Sequence, residues 1–260
     1  MKKYLVIGNP IEHSLSPKLH NFWIQENNIN AIYEKRKINK DEIQKIINEI
    51  KNEKINGVNV TVPYKKAVIP FLDKLTPLAE KIQSVNTIFM KDNKVIGDNT
   101  DMGGFVQSLK DIDYDVKNKK VFILGAGGVA PSIILALKRL GAAKIILSNR
   151  TREKAENLKK IYSDLELIDW GQKVNFDMII NATSLGLKNE DKINLDFSKI
   201  EPSKLFYDVI YNPSKTKFLL EAERLGNKIK NGKMMFIYQA QLSFKIWHNI
   251  LPKISNKLLN

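Results

Sequence analysis

The chain has 260 residues, a formal net charge of +14 from 42 basic and 28 acidic side chains, and no cysteine. This length allows one large domain or two modest ones with separate apolar cores, and we expect two. The chain contains no run of about 18 apolar residues, the length needed to span a bilayer. The lack of cysteine excludes disulfides and thiolate metal sites, and it suits a soluble cytoplasmic protein.

The positive charge is spread along the chain rather than gathered in one basic patch. Lysines occur in nearly every segment beside abundant Asn and Ile, so we expect neither a nucleic-acid nor a membrane partner. A basic nucleic-acid-binding protein is the alternative, and it predicts DNA binding that weakens steeply with salt. At modest salt the positive electrostatic field of the protein favours the binding of an anionic cofactor and a carboxylate substrate. The histidines His13, His20 and His248 lack metal-ligand spacing, so we expect no metal.

Strand-length apolar runs alternate with amphipathic helical segments, which is typical of an α/β protein with mainly parallel sheets. A first strand is expected at Tyr4–Ile7, followed by a helix that begins at Pro17 with Ser16 as its N-cap. The alternation of strand and helix continues through residues 32–36, 41–52, 57–62 and 64–72. Strands at 86–90 and 95–98 flank turn-forming residues and predict a hairpin.

A second unit begins near Lys120 with a Rossmann-like order of elements. We expect strands at residues 121–124, 144–148, 165–168, 178–181 and 206–209, and helices at 129–140 and 151–162. The last amphipathic segment, from Met234 to about Ile250, has no strand after it and is expected to return to the first domain. The predicted domains are therefore 1–101 completed by 232–260, and a Rossmann-like domain at 102–231.

A glycine-rich segment lies between the predicted strand 121–124 and the following helix. It contains Gly125, Ala126, Gly127, Gly128 and Val129, with Ala130 at the third fingerprint position. Glycines let the backbone turn tightly and approach a pyrophosphate, and the helix N-terminus presents N–H groups to it. The pattern predicts a dinucleotide site, although a similar turn also occurs in proteins that bind nothing.

The second strand of this unit indicates which dinucleotide binds. NAD-selective sites carry an acidic residue at its end, whereas this chain has Asn149, Arg150 and Thr151, with Lys154 close behind. A guanidinium there can make a bidentate contact with a 2′-phosphate. We therefore expect NADP(H) rather than NAD. The alternative is a helix cap by Asn149 or Thr151 beside solvated basic residues.

Polar residues also cluster in segments 8–17, 59–65, 84–87 and 97–101, which we expect to be loops. Together with the glycine-rich loop and segments 149–151, 181–186, 208–213 and 232–239, they make the sequence resemble the shikimate dehydrogenases from Gly8 to Gln241. The motifs have the same order and similar spacing. The resemblance implies NADPH-dependent reduction of 3-dehydroshikimate to shikimate.

Reduction of a ketone needs a hydride for the carbon and a proton for the oxygen. Lys65, expected where a strand gives way to a helix, can supply the proton, and Asp101 can hold Lys65 and the substrate hydroxyl in register. The resemblance makes these two residues the catalytic pair. On its own, a lysine after Pro-Tyr is more often solvated.

The resemblance also assigns binding residues on both sides of the reaction. Ser14 and Ser16 would bind the substrate carboxylate, and the ring would be surrounded by Thr61, Lys65, Asn86, Asp101, Tyr211 and Gln239. Thr183, Ser184, Ile210 and Gly232 would lie beside the coenzyme. Each has a structural alternative: Ser16 as a helix cap, Asn86 as a partner of strand-end backbone, Tyr211 as a buried filler.

Two residues depart from the family pattern. Pro77 replaces an acidic residue near the coenzyme, and Met234 replaces a glycine before Gln239. An enzyme that prefers quinate or NAD, and a noncatalytic metabolite-binding relative, are the other functions considered. We expect a small-molecule substrate and either a monomer or a homodimer.

Overall fold

The computed structural model describes residues 1–188, 190–193, 195–198 and 200–255. The chain forms two compact units. Unit 1 comprises Met1–Gly104 and the described part of Ile237–Asn260, and unit 2 comprises Phe105–Phe236. In the described ranges, no helix is both long enough and apolar enough to cross a membrane.

Unit 1 contains a mixed six-stranded sheet. Its elements are β1 (Lys2–Gly8), α1 (Ser16–Glu26), β2 (Ala31–Lys37), α2 (Ile43–Lys51), β3 (Gly57–Val60), β4 (Lys74–Leu75), α3 (Pro77–Ile82), β5 (Thr87–Lys91) and β6 (Lys94–Asp98). The strand order is β2-β1-β3-β5-β6-β4. β1 is parallel to β2 and β3, whereas β5 is antiparallel to β3 and β6.

Helix α2 illustrates how the apolar pattern builds the core of unit 1. Ile43, Ile46, Ile47 and Ile50 recur at helical spacing, and all four are buried. They pack in one cluster with strand residues such as Val58, so the isoleucine stripe is the face that α2 turns to the sheet.

Two expectations for unit 1 have different outcomes. The hairpin is confirmed: Met90 pairs with Val95 across the antiparallel strands β5 and β6. The expected helix at 64–72 is wrong, because the segment forms turns and a short 3-10 helix at Ile69–Phe71. Pro70 lacks the N–H that a continuous helix requires there. Lys65 therefore lies in a turn and not at the start of a helix.

Unit 2 is built on a six-stranded sheet in which every pairing is parallel. Helix α4 (Asp101–Lys110) leads into it, and its elements are β7 (Lys120–Leu124), α5 (Ala130–Arg139), β8 (Lys144–Ser148), α6 (Arg152–Ile161), β9 (Glu166–Leu167), β10 (Met178–Asn181), β11 (Leu205–Asp208), α7 (Lys217–Arg224) and β12 (Lys228–Lys230). The strand order β12-β11-β10-β7-β8-β9 is the Rossmann order. The order reverses between β7 and β10, and such a switch point is where ligands bind in open α/β sheets.

The last helix, α8 (Lys233–His248), begins in unit 2 and continues into unit 1. Within unit 1, the indole N–H of Trp247 donates to the Ile88 carbonyl at 3.2 Å, and its ring centroid lies 5.0 Å from that of Tyr4. Met234 lies in the first turn of α8, so this departure from the family pattern does not prevent the helix from starting there.

Candidate active site

A buried ion pair joins Lys65 to Asp101 in unit 1. The distance from Lys65 Nζ to Asp101 Oδ2 is 2.6 Å, and the two residues are 9% and 5% exposed. Lys65 lies in the turn after β3, and Asp101 is the first residue of α4. Burying two charges costs desolvation that their attraction often fails to repay, so stability is a weak reason for this pair. A charged pair that is buried despite this cost is a candidate functional site.

The side-chain amide of Asn86 organises the groups around this pair. Its Nδ2 lies 3.0 Å from Asp101 Oδ1, 2.9 Å from Thr100 Oγ1 and 3.2 Å from Gln239 Oε1. Its Oδ1 accepts a hydrogen bond from the Thr100 N–H at 2.8 Å. Asn86 thus binds side chains from α4 and α8, which is more than the strand-end role considered as its alternative.

A second buried amide extends the network to β2. Asn59 Nδ2 donates to the Asn86 carbonyl at 3.0 Å, and Asn59 Oδ1 accepts from the Tyr33 hydroxyl at 2.7 Å. Burial raises the pKa of Tyr33 well above its usual value, and the nearby Ser16 side chain opposes that shift. The phenol of Tyr33 therefore extends the amide network to β2.

The serines and Thr61 occupy less central positions. Ser16 is buried and is the first residue of α1 rather than its N-cap, because Leu15 holds the N-cap position. Its backbone N–H faces Ser14 Oγ at 3.3 Å. Ser14 and Thr61 are half-buried. Hydrogen bonds thus link Lys65, Asn86, Asp101 and Gln239. Tyr211 belongs to unit 2, where its ring stacks on Phe236 at a centroid distance of 4.6 Å.

The glycine-rich loop of unit 2 follows β7 at the switch point. Gly125 has a positive φ of 104°, and its N–H donates to the Ser148 carbonyl at 2.8 Å. The Ala126 N–H donates to Asn149 Oδ1 at 2.9 Å, and Asn149 Nδ2 donates to the Thr151 carbonyl at 2.7 Å. Asn149 thereby ties the loop after β7 to the loop after β8.

This geometry predicts a large difference between two neighbouring glycine substitutions. A Cβ on Gly125 would lie 2.8 Å from Thr183 Cγ2 in a backbone conformation that other residues rarely adopt, whereas a Cβ on Gly127 meets only the Ala182 carbonyl oxygen at 3.8 Å. Gly125→Ala is expected to lower the free energy of unfolding by about 2 kcal/mol. Gly127→Ala should change it by less than about 0.5 kcal/mol. Urea unfolding of the two variants without coenzyme measures both changes. Equal unfolding midpoints would contradict the conclusion that position 125 requires glycine and position 127 does not.

Three basic side chains near the end of β8 differ in their partners. Arg152 is ion-paired with Asp169 at 2.7 Å and with Glu156 at 3.4 Å. Arg150 and Lys154 are exposed, and neither takes part in an ion pair with any other described residue. Their charges are therefore available to a phosphate. Thr151 holds the N-cap position of α6 without a side-chain cap hydrogen bond, and Val129 holds that position in α5.

The loops after β10, β11 and β12 carry the other residues expected to bind a coenzyme. Thr183 Oγ1 donates to Asn181 Oδ1 at 2.7 Å, and Ser184 beside it is exposed. The Gly232 N–H donates to the Ile210 carbonyl at 3.0 Å. A Cβ on Gly232 would overlap the Val209 carbonyl oxygen, so only glycine allows the backbone to approach so closely there.

Several residues of these networks were not identified from sequence. Tyr33, Asn59 and Thr100 belong to the unit 1 network, and Asp208 lies in unit 2. Burial raises the pKa of Asp208 to about 6, against hydrogen bonds from Thr216, Ile210 and Asn181 that lower it. Asn59 and Asp208 are polar side chains in short apolar strands, and this pattern could have indicated both residues from the sequence.

The arrangement in unit 2 fits a dinucleotide. The expected binding residues follow the carboxyl ends of five adjacent parallel strands, β12, β11, β10, β7 and β8. α5 begins directly after the glycine-rich loop, so its N-terminal N–H groups can face a pyrophosphate.

Pro77, the other departure from the family pattern, is the first residue of α3, with Thr76 as its N-cap. In the described part of the chain, no cluster of three His, Asp or Glu side chains could hold a metal.

Fold and site together define a two-unit α/β protein with a Rossmann-type unit and a buried lysine–aspartate pair. Two family models match the sequence: the shikimate dehydrogenase substrate binding domain at residues 6–88, and shikimate / quinate 5-dehydrogenase at residues 107–192. The chain belongs to the shikimate dehydrogenase family.

Individual relatives agree with this assignment. The chain is 58% identical over 259 residues to a shikimate dehydrogenase (NADP(+)) of Pelagibacter ubique, covering 100% of this chain and 98% of the relative. The crystal structure of shikimate dehydrogenase from Aquifex aeolicus has a TM-score of 0.92 at 38% identity, covering 99% of this chain and 96% of that one. A Thermus thermophilus shikimate 5-dehydrogenase in complex with NADP(H) and shikimate has a TM-score of 0.89 at 30% identity, with 97% and 95% covered.

Proposed function

We propose that this chain is an NADP-dependent shikimate dehydrogenase, which reversibly reduces 3-dehydroshikimate to shikimate in the biosynthesis of chorismate and the aromatic amino acids. The observation that carries the proposal is the buried Lys65–Asp101 pair, joined through Asn86 to Gln239. The similarity to NADP(+)-dependent relatives over the whole chain supports it.

In this mechanism Lys65 and Asp101 handle the proton. Bound NADPH supplies the hydride that adds to the carbonyl carbon. The Lys65 ammonium donates a hydrogen bond to the carbonyl oxygen and transfers its proton there as negative charge develops. Asp101 accepts hydrogen bonds from Lys65 and from a substrate hydroxyl, which fixes the ammonium relative to the ring. In the oxidative direction, neutral Lys65 takes the proton from the hydroxyl of shikimate.

Further residues are proposed to bind the substrate. Ser14 and Ser16 hold its carboxylate, and Thr61, Asn86 and Gln239 hold its hydroxyls. Tyr211 is also proposed as a substrate-binding residue. Short hydroxyl and amide side chains suit a ligand with this many oxygen atoms. The proposed substrate domain is residues 1–101 with 232–260, of which residues 256–260 lie outside the described part of the chain.

Residues 102–231 form the proposed NADP(H) domain. Gly125, Ala126, Gly127, Gly128 and Val129 contact the pyrophosphate. The adenosine 2′-phosphate is held by Asn149, Arg150, Thr151 and Lys154. Thr183, Ser184, Ile210 and Gly232 line the nicotinamide side. The exposed, unpaired state of Arg150 in the described chain supports its assignment to the phosphate.

The deciding experiment is shikimate oxidation by the purified chain, followed by the absorbance of the reduced nicotinamide. We expect the highest kcat/KM with shikimate and NADP+. Because one matching family model covers both shikimate and quinate, both acids are tested with both coenzymes. A preference for quinate or for NAD+ would replace the specific proposal within the same family. Absence of turnover with all four pairs would favour a noncatalytic metabolite-binding protein.

A further inference from the structure

A buried carboxylate in unit 2 has no role in the chemistry proposed above. Asp208 ends β11 and is completely buried, and among the described residues it has no basic ion-pair partner. Burying a carboxylate without a counter-charge is costly. Its oxygens instead accept hydrogen bonds from Thr216 Oγ1 at 2.6 Å, the Ile210 N–H at 2.9 Å and Asn181 Nδ2 at 3.1 Å.

The contact with Asn181 fixes the orientation of a second buried side chain. Asn181 ends β10 and pairs in register with Asp208. An ionised carboxylate can only accept hydrogen bonds, so it faces the amino end of the Asn181 amide. That end also donates to the Leu185 carbonyl at 3.0 Å.

The opposite end of the same amide holds the loop after β10. Asn181 Oδ1 accepts the Thr183 N–H at 3.1 Å and the Thr183 hydroxyl at 2.7 Å. The Leu185 N–H donates to Thr183 Oγ1 at 3.0 Å. If the Asn181 amide turned over, it would present donors to the Thr183 N–H, and this arrangement of the loop would be lost.

The loop after β11 depends on the same carboxylate oxygen. Asp208 Oδ1 accepts both from Asn181 Nδ2 and from the Ile210 N–H. The Ile210 carbonyl in turn accepts from the Gly232 N–H at 3.0 Å. One oxygen atom therefore connects the two adjacent loops that carry Thr183 and Ile210, and Ile210 in turn holds Gly232, which lies between β12 and α8.

We infer that Asp208 is a positioning residue for the nicotinamide half of the coenzyme, acting through Asn181 on Thr183 and directly on Ile210. The inference rests on the proposed function, because it takes the coenzyme contacts of Thr183 and Ile210 from there. Asp208 itself is two residues from Ile210 and completely buried, and it is not among the residues proposed to contact the coenzyme or the substrate.

Three variants separate positioning from simple structural support. Asp208→Asn keeps an acceptor oxygen for Asn181 and Ile210 and turns an amino group toward the Thr216 hydroxyl, which can accept. Asp208→Ala removes every acceptor. Thr216→Val deletes the donor to Asp208 Oδ2 and the N-cap contact with Leu219 N, yet leaves both contacts of Oδ1 in place.

The full-length wild type and the variants are compared by steady-state kinetics and by the midpoint of urea unfolding. Asp208→Ala is expected to raise KM for NADP+ by about tenfold or more, since small displacements of positioned groups have large kinetic effects. KM for shikimate should stay within about twofold. Asp208→Asn should restore KM for NADP+ to within about threefold of wild type. Thr216→Val should lower the unfolding midpoint without that rise in KM.

The inference is overturned if KM for NADP+ follows the unfolding midpoint across all three variants, or if Asp208→Ala leaves it unchanged. If Asp208→Ala does not fold, Asn181→Ala takes its place with the same expected rise. If wild type fails to oxidise shikimate, the proposed function fails on its own. Direct titration of the wild type and the variants with NADP+ then tests the inference. The dissociation constant of NADP+ is compared in place of KM, with the same expected changes.

Discussion

Lys65→Ala is expected to lower kcat for shikimate oxidation by about 10²- to 10⁴-fold, the range that a positioned proton donor or acceptor contributes. Lys65 Nζ lies 2.6 Å from Asp101 Oδ2 and is largely shielded from water, so solvent cannot readily replace its proton. KM for NADP+ should change by less than about threefold, because the loss falls on the chemical step. Steady-state kinetics with both substrates varied measures the three constants.

The chain supplies a matched control in the next residue. Lys66 is exposed, so Lys66→Ala removes the same charge from the same turn and should leave kcat within about twofold of wild type. Normal turnover in Lys65→Ala would refute the catalytic assignment.

A double-substitution cycle tests whether Lys65 and Asp101 act together. Asp101→Asn alone should also lower kcat strongly, because it removes the carboxylate that holds the ammonium. The double variant should lose about as much activity as the more impaired single variant, since residues that act as a unit are not additive. Fully additive losses would mean that the two side chains act separately.

The unit 2 sheet was accessible from sequence because its signal is local. Strands of a parallel sheet are buried on both faces and appear as continuous apolar runs, as residues 121–124 and 178–180 do. The glycine-rich loop follows the first of these runs directly. Short elements at the sheet edges give much weaker patterns, and the three-residue strand β12 was not predicted.

Helices were missed where polar or glycine residues interrupt the apolar pattern. α4 begins at Asp101, in a segment expected to be a loop, and carries Gly103 and Gly104, which have low helix propensity. α7 has only eight residues. In the opposite direction, the apolar run at 64–72 suggested a helix that Pro70 interrupts.

The site could be predicted only in part, for a physical reason. Lys65 and Asp101 are 36 positions apart, and their pairing depends on how β3, β6 and α4 meet; the family resemblance suggested the pair, and spacing alone could not. Tyr33 lies in a strand of ordinary composition, whereas Asp208 is the one charged residue of its strand. The hydrogen-bond partners of both residues are set by the fold, which periodicity does not encode.

Selection of the coenzyme gives the other large expected effect. Arg150→Ala should raise KM for NADP+ by about 10- to 100-fold, because hydrogen bonds to a charged group contribute about 1.5–3 kcal/mol. KM for NAD+, which lacks the 2′-phosphate, should change by less than about threefold. The selectivity, expressed as the ratio of kcat/KM for the two coenzymes, therefore falls while kcat with shikimate is retained.

Arg152→Ala is the matched control because it removes an equal charge two positions away. Arg152 is already neutralised by Asp169 and Glu156, so its loss should alter KM for either coenzyme by less than about threefold. Both variants are measured at low and at physiological salt, since a phosphate contact weakens with ionic strength. If Arg150→Ala weakens both coenzymes equally, Arg150 is structural. If Arg152→Ala reproduces the selective loss for NADP+, Arg152 binds the 2′-phosphate. In that case the ion pairs of Arg152 must break when the coenzyme binds.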